Sequence, residues 1–344
     1  MRNSSERPTN SKREMKVHRC SARLSDVPAQ SLRRLIGLML PVASMAFAAQ
    51  ERPAVAASSK VRVAAISFVP AKFELQRNAD QLERLFREAA AGGARIAVAP
   101  EGALEGYVVN EIIEGRAPES RMREVAIPID HSLIGRFRQL AAELGMCLVI
   151  GFAERIGDDV FNCAVFIDDK GAIRGKHHKM QLAEGYDESW WFNRLGASSR
   201  AFDTPFGRAA ILICNDRWNP DLARIPVLDG ARFLLIPSFG SKSSDQDQAV
   251  LSRARENGVP IVEANVGVTL VVNQGEIVSV DRNEATITYG EITIPAAVAA
   301  DPSARDRLER RFLEWRRDEM ARRLEKTRLK LSARTAAQER REQP

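Results

Sequence analysis

The sequence is poor in the residues that most often announce chemistry. It has four cysteines and four histidines in 344 residues. No Cys/His spacing and no HxxxH pair groups them, so the adjacent His177 and His178 do not suggest a metal site and no metal is expected. No G-x-S-x-G elbow is present, which excludes the common serine-hydrolase arrangement. Neither G-x-G-x-x-G nor G-x-x-x-x-G-K-[ST] occurs, so no dinucleotide or P-loop phosphate cradle is expected, and no cofactor. No apolar run reaches the roughly 20 residues that a membrane helix needs. Internal repeats and low-complexity tracts are also missing.

A surplus of charge is present, but it is unevenly placed. The net charge of +6 invites a nucleic-acid reading. Residues 1–48 hold nine Lys/Arg against three Asp/Glu, so the remainder carries 42 of each sign and is neutral. Within that remainder residues 303–344 hold 14 bases and 8 acids, leaving an acidic body of about −6 over 49–302. A basic tail on an acidic body does not make a nucleic-acid surface. No nucleic-acid partner is expected.

The amino terminus has the layout of an export signal. Arg33 and Arg34 precede the apolar run LIGLMLPVASMAFAA, and Ala46-Phe47-Ala48 offers a small-residue cleavage site. Residues 1–48 are therefore expected to be a cleaved signal, giving a periplasmic or secreted protein with no membrane span after processing. If the segment is instead an amino-terminal arm, the chain stays cytoplasmic. Residues 49–60, rich in Ala, Pro and Ser, read as a linker.

From Val61 onward strands alternate with helices, and later strands pair with strands. VRVAAISFV (61–69) predicts a doubly covered strand, and NADQLERLFREAAA (78–91) a helix capped by Asn78 and ended by Gly92-Gly93. Asp169-Lys170-Gly171 joins two strands as a hairpin, and Glu276 to Ile294 also reads as hairpin-like. The fold class is α/β with mixed sheets and outer helices over 61–302. Residues 303–344 form a charged helical extension, with Leu313, Met320, Leu324 and Leu331 on one stripe.

The organising stretch is RAAILICNDRWNPDLAR, residues 208–224. An apolar strand ends at Cys214, a turn follows, and then a helix begins, which is the geometry of a nucleophile elbow. Read alone, this stretch is better explained by a buried inert thiol at Cys214. Glu101, however, follows the strand RIAVAP as Cys214 follows AAILI, and Lys179 follows a hairpin strand. Thiol, carboxylate and ammonium at three strand ends form a coherent set. The carboxylate takes the thiol proton, and the ammonium stabilises thiolate and oxyanion.

Three separated blocks, IAVAPEGALEGY, GKHHKMQL and ILICNDRWNPDLAR, resemble in order those of the carbon–nitrogen hydrolase (nitrilase) superfamily, in its amidase/carbamoylase-like branch. The resemblance spans about Val61 to Tyr289. It implies an α-β-β-α sandwich, a Glu101-Lys179-Cys214 triad, the Asn215 backbone N–H as oxyanion donor, and association into a homodimer or larger homo-oligomer. It also implies a second glutamate after the lysine block, for which Glu188 is the best match and Asp187 the rival. Substrate-binding candidates are Tyr107, Arg217 and Trp218. Glu105 stands where the family usually has Thr or Ser. Carbamoyl-amino-acid hydrolases of the family carry two arginines after C-N-D. Here Arg217 matches the first and Trp218 replaces the second, so neutral amides are expected to be preferred over carboxylate-bearing ones. The expected function is thiol-mediated cleavage of a non-peptide C–N bond in a small amide or ureide. Acyl transfer to an amine and a non-catalytic binding role are the alternatives.

Overall fold

The computed structural model describes residues 59–342, with side chains to residue 337. The expected signal and most of the expected linker lie outside the described residues. In chain order the elements are β1 (Ser59–Ser67), α1 (Leu75–Ala91), β2 (Ile96–Val98), α2 (Val109–Ile113), α3 (Ser120–Val125), α4 (Ser132–Leu144), β3 (Cys147–Ile156), β4 (Asp159–Ile167) and β5 (Ile173–His178). There follow β6 (Phe202–Thr204), β7 (Gly207–Ile211), α5 (Pro220–Leu228), β8 (Phe233–Ser238), α6 (Ser244–Asn257), β9 (Ile261–Asn265), β10 (Val268–Asn273), β11 (Glu276–Asp281), β12 (Thr286–Ile294) and α7 (Pro302–Glu342).

The strands form two six-stranded sheets, ordered β12-β1-β2-β3-β4-β5 and β11-β10-β9-β8-β7-β6. Strand β1 explains why they stack. Val61, Val63 and Ala65 point into the space between the sheets, while Ala64 and Ile66 point outward under α1 and α4. A strand buried on both faces must read as a continuous apolar run, as this one does. On the other side Ala210, Leu212, Leu234 and Ile236 pack beneath α5 and α6, together with Phe312 of α7. The layers are helix, sheet, sheet, helix, and each fully buried Val or Ile contributes about 1.5–3 kcal/mol.

Three local expectations are corrected. Strand β1 begins at Ser59, so the last two residues of the expected linker are already paired, Ser59 with Ile294 and Lys60 with Thr293. Asn78 does not cap α1. The helix starts at Leu75, and the buried Asn78 amide bonds Ala71 N, Ala71 O and Leu104 O, holding a loop rather than a helix end. Residues 276–294 are not a hairpin, since β11 pairs with β10 in one sheet and β12 with β1 in the other. Thr269 and Thr288, 2.6 Å apart by their hydroxyls, join the two sheets there.

Helix α7 is amphipathic only along a narrow stripe. Phe312, Met320 and Leu324 are buried, each four or eight residues from the next, and Arg316 fills the gap in the series. Its guanidinium donates to Met180 O at 3.3 Å and Gly196 O at 2.6 Å. The helix therefore lies on its own domain, along α5 and the loop after β5.

Candidate active site

The sheet topology brings four strand ends to one place. β1, β2 and β3 run parallel in the first sheet, as β7, β8 and β9 do in the second. Glu101 lies just beyond β2, Lys179 directly after β5, Cys214 shortly after β7 and Phe239 directly after β8. Open α/β sheets place reactive groups at such ends because the backbone there is free to turn toward a ligand.

Glu101 and Lys179 are both fully buried, and Lys179 Nζ donates to Glu101 Oε1 at 2.6 Å. The same carboxylate accepts from Asn162 Nδ2 at 2.7 Å and, through Oε2, from the Phe239 N–H at 2.9 Å. Burial by itself would push the Lys179 ammonium down. Glu101, Tyr107, Cys214 and Glu184 outweigh it only together, Glu101 foremost, and hold the ammonium well above the ordinary lysine range. Removing one member of such a pair leaves an uncompensated buried charge, a loss of about 3–5 kcal/mol.

Cys214 has φ of 46°, in the left-handed region that a non-glycine residue rarely adopts. This strained elbow turns its thiol toward the strand-end cluster, where Sγ lies 3.6 Å from Phe239 O. Burial, and after it the Glu101 charge, push the thiol up, while Lys179 and Arg217 pull the other way. At neutral pH the thiol therefore rests protonated and needs a base. Asn215 follows in the turn, buried, with its side-chain amide donating to Gln181 O at 3.1 Å.

Residues Cys214–Trp218 form a 3-10 turn, and that decides where the substrate-binding candidates go. Three residues per turn bring side chains i and i+3 into register. Arg217 therefore returns to the Cys214 side, while Trp218 is carried about a third of a turn away. Arg217 is buried and not free for a ligand. Neither Asp216 nor Asp221 holds it; it pairs with Glu263 at 3.0 Å and donates to Ser238 Oγ at 2.9 Å. Trp218 is 38% exposed and lines a separate groove with Gln181, Asn219, Pro220 and Trp315. That groove shares no lining residue with the cavity beside Tyr107 and Phe239.

Asp216 organises the whole corner from below. Its Oδ2 accepts from Ile213 N at 3.0 Å and bonds His177 Nε2 at 2.9 Å. Its Oδ1 accepts from Gln181 N at 2.8 Å and Met180 N at 3.2 Å. One carboxylate thus ties the cysteine turn to the lysine segment. His178 pairs with Glu154, which also takes Lys176 Nζ at 2.8 Å. Cys163 completes that group of potential metal ligands, but Lys176 already balances its acid.

The two acids expected after the lysine block do not turn inward. Glu188 is exposed, and Asp187 pairs with Arg328. Glu184 is buried instead, bonded to Asn193 Nδ2. Burial raises its pKa, opposed by the Lys179 charge and aided by Glu101. Tyr107 is at the site: its backbone is left-handed at φ 50°, its ring stacks on Phe239 at 4.9 Å between centroids, and Lys179 Nζ lies 5.6 Å from it. Tyr107, Glu184 and Phe239 form the inner wall of a cavity of about 310 Å³. Sequence reasoning missed Asn162 and Glu263. Their signal is a polar residue inside an otherwise apolar strand (VFNCAVF, IVEAN), which must have a partner when buried.

Known proteins share this architecture. An amidase from Nesterenkonia sp. superposes with a TM-score of 0.59 at 21% identity, covering 70% of this chain and 94% of that one. A Saccharomyces cerevisiae member of branch 10 of the nitrilase superfamily gives 0.60 at 21% identity, covering 69% and 93%. In sequence, an N-carbamoylputrescine amidase of Oryza sativa subsp. japonica is 32% identical over 250 residues, 68% of this chain and 77% of that protein. A citrullinase of Francisella tularensis is 31% identical over 221 residues, 61% and 74% respectively. With the sequence model of the carbon-nitrogen hydrolase family matching residues 62–300, the chain belongs to that family and is a hydrolase of carbon–nitrogen bonds.

Proposed function

We propose that the protein hydrolyses an amide or carbamoyl C–N bond of a small molecule through an acyl-thioester on Cys214. The observation that carries this reading is the fully buried Glu101–Lys179 pair, 2.6 Å apart, at the same strand ends as the strained elbow of Cys214. Glu101 Oε2 takes the Cys214 proton, and the thiolate attacks the carbonyl carbon. Lys179 Nζ and the Asn215 N–H hold the oxyanion, each donor contributing on the order of 3 kcal/mol of transition-state stabilisation. Glu101 returns the proton to the departing nitrogen, which leaves as amine or ammonia. It then deprotonates a water that attacks the thioester, and the resulting acid departs while Cys214 regains its proton. Glu184 takes the part of the second glutamate, facing Lys179 from the cavity wall. The relatives named as carbamoylputrescine amidase and citrullinase support a carbamoyl or amide group as the reacting end.

The test is mass spectrometry of the enzyme trapped with a slow amide substrate. Acyl mass is expected on the peptide containing Cys214 and absent in Cys214→Ala. Acyl mass on Cys147 or Cys163 would sink the assignment. Export and self-association belong to the same proposal. They are read from the amino terminus of native protein, expected near Ala49, and from its mass in light scattering, expected at two or more chains.

A further inference from the structure

The family match ends at residue 300, yet α7 continues for 41 residues from Pro302. Part of its second half borders a cavity. Thr327, Lys330, Leu331 and Arg334 line the outer wall of the same 310 Å³ cavity whose inner wall is Tyr107, Glu184 and Phe239. From Thr327 to Arg334 is about 10 Å of helix, enough to span the mouth of a small ligand site.

The helix is fastened at that point. Thr327 Oγ1 donates to Glu184 O at 2.8 Å, Arg328 pairs with Asp187, and Arg334 pairs with Glu114 at 2.8 Å. Gly185 makes the approach feasible. Its φ is 88°, and a Cβ there would collide with the backbone of Leu324 and Arg323. The segment that carries Glu184 is thus in direct contact with α7.

The charges at this rim are unequal. Glu114 is shared by Arg334 and Arg116, so that group is not acidic overall. Lys330 is exposed and has no ion pair among the described residues. We propose that α7 is the outer wall of the active-site mouth and that Lys330 there favours substrates whose end distal to the scissile C–N bond is anionic over those ending in a cation. This rests on Cys214 being the group the mouth serves. It separates the chain from any enzyme tuned to a terminal ammonium.

The experiment uses the full chain and two methanethiosulfonate reagents of equal arm length, one ending in a sulfonate and one in a trimethylammonium. Modification of Cys214 is followed by mass at low salt, so no turnover is needed. The ratio of sulfonate to ammonium rate is expected to fall by at least about fivefold in Lys330→Glu: fivefold is the scale of a single unit-charge interaction roughly 8 Å away in an effective dielectric of about 40, and a charge reversal read with reagents of opposite sign exceeds it. Arg317→Glu makes the same change in net charge about 20 Å earlier on the helix and is expected to leave the ratio within about twofold. A ratio unmoved by Lys330→Glu, or moved equally by Arg317→Glu, overturns the proposal. Gly185→Ala, which forces α7 away, is expected to lower the ratio in the same direction but by less than Lys330→Glu, and an unchanged ratio there also counts against it. Matched amides ending in carboxylate or ammonium are then compared by kcat/KM, and the preference is expected to follow the labelling ratio. If labelling shifts as expected but neither amide turns over, the mouth is as proposed and the hydrolytic reading fails.

Discussion

Glu105 offers the sharpest test of the electrostatics around the site. It is buried four residues beyond Glu101, and its Oε2 accepts from Ala153 N at 3.0 Å. Burial raises its carboxyl pKa to about 7 from an ordinary 4.5. A carboxyl whose pKa is higher in the folded state binds its proton more tightly there, so it stabilises at low pH. That contribution is lost as pH rises through the window from about 4.5 to 7. Integrating between pH 5 and pH 8, wild type should lose on the order of 2–3 kcal/mol relative to Glu105→Gln, which stays neutral and keeps an acceptor for Ala153. Urea unfolding of both proteins at pH 5, 6, 7 and 8 measures the difference directly, and all other titrations cancel. A difference that stays flat within about 0.5 kcal/mol would refute the reasoning. The same ionisation places a second negative charge near Glu101, so the kcat/KM profile of wild type should change above pH 7 in a way that Glu105→Gln does not reproduce.

Two further outcomes follow from the corner built on the cysteine turn. Trp218→Arg should change the preference between carboxylate-bearing and neutral amides by less than about twofold, because that side chain faces a groove apart from the cavity; a tenfold shift, about 1.4 kcal/mol, would contradict this. Asp216→Ala strands the N–H groups of Ile213, Met180 and Gln181 in a buried place, at about 1–3 kcal/mol each, so a loss of at least about 3 kcal/mol is expected in urea unfolding. A loss below about 1 kcal/mol would remove Asp216 from its organising role.

Much of this was legible in the chain because burial on both faces leaves a strong mark. β1 reads as an unbroken apolar run, and the segments before Glu101 and Cys214 do the same, which fixed the fold class and the strand-end positions of the reactive groups. What local pattern could not supply were distances across the fold. Glu276 to Ile294 looks like a hairpin because each half alternates, and alternation does not say which sheet a strand joins. Trp218 is a pocket candidate only through its match to the second arginine of the related carbamoyl hydrolases, and a motif match carries no turn geometry, whereas the 3-10 turn leads the indole away and brings Arg217 back. The resemblance pointed to Glu188 or Asp187 and passed over Glu184, because the segment after Lys179 has no periodicity from which to decide which acid turns inward.

Phe239 contributes to the site through main-chain atoms. Its N–H holds Glu101 and its carbonyl lies at the thiol of Cys214. Any substitution that keeps an ordinary peptide leaves both groups in place, whatever becomes of the ring. A survey of side chains would therefore score this position by its stacking on Tyr107 and overlook its other contribution, a short piece of backbone joining base to nucleophile that the genetic code can hardly delete. Such a joint survives drift at its own position and is exposed to it only through neighbours that set the path of the chain. Its integrity is a property of β8 as a whole, not of the residue found at its end.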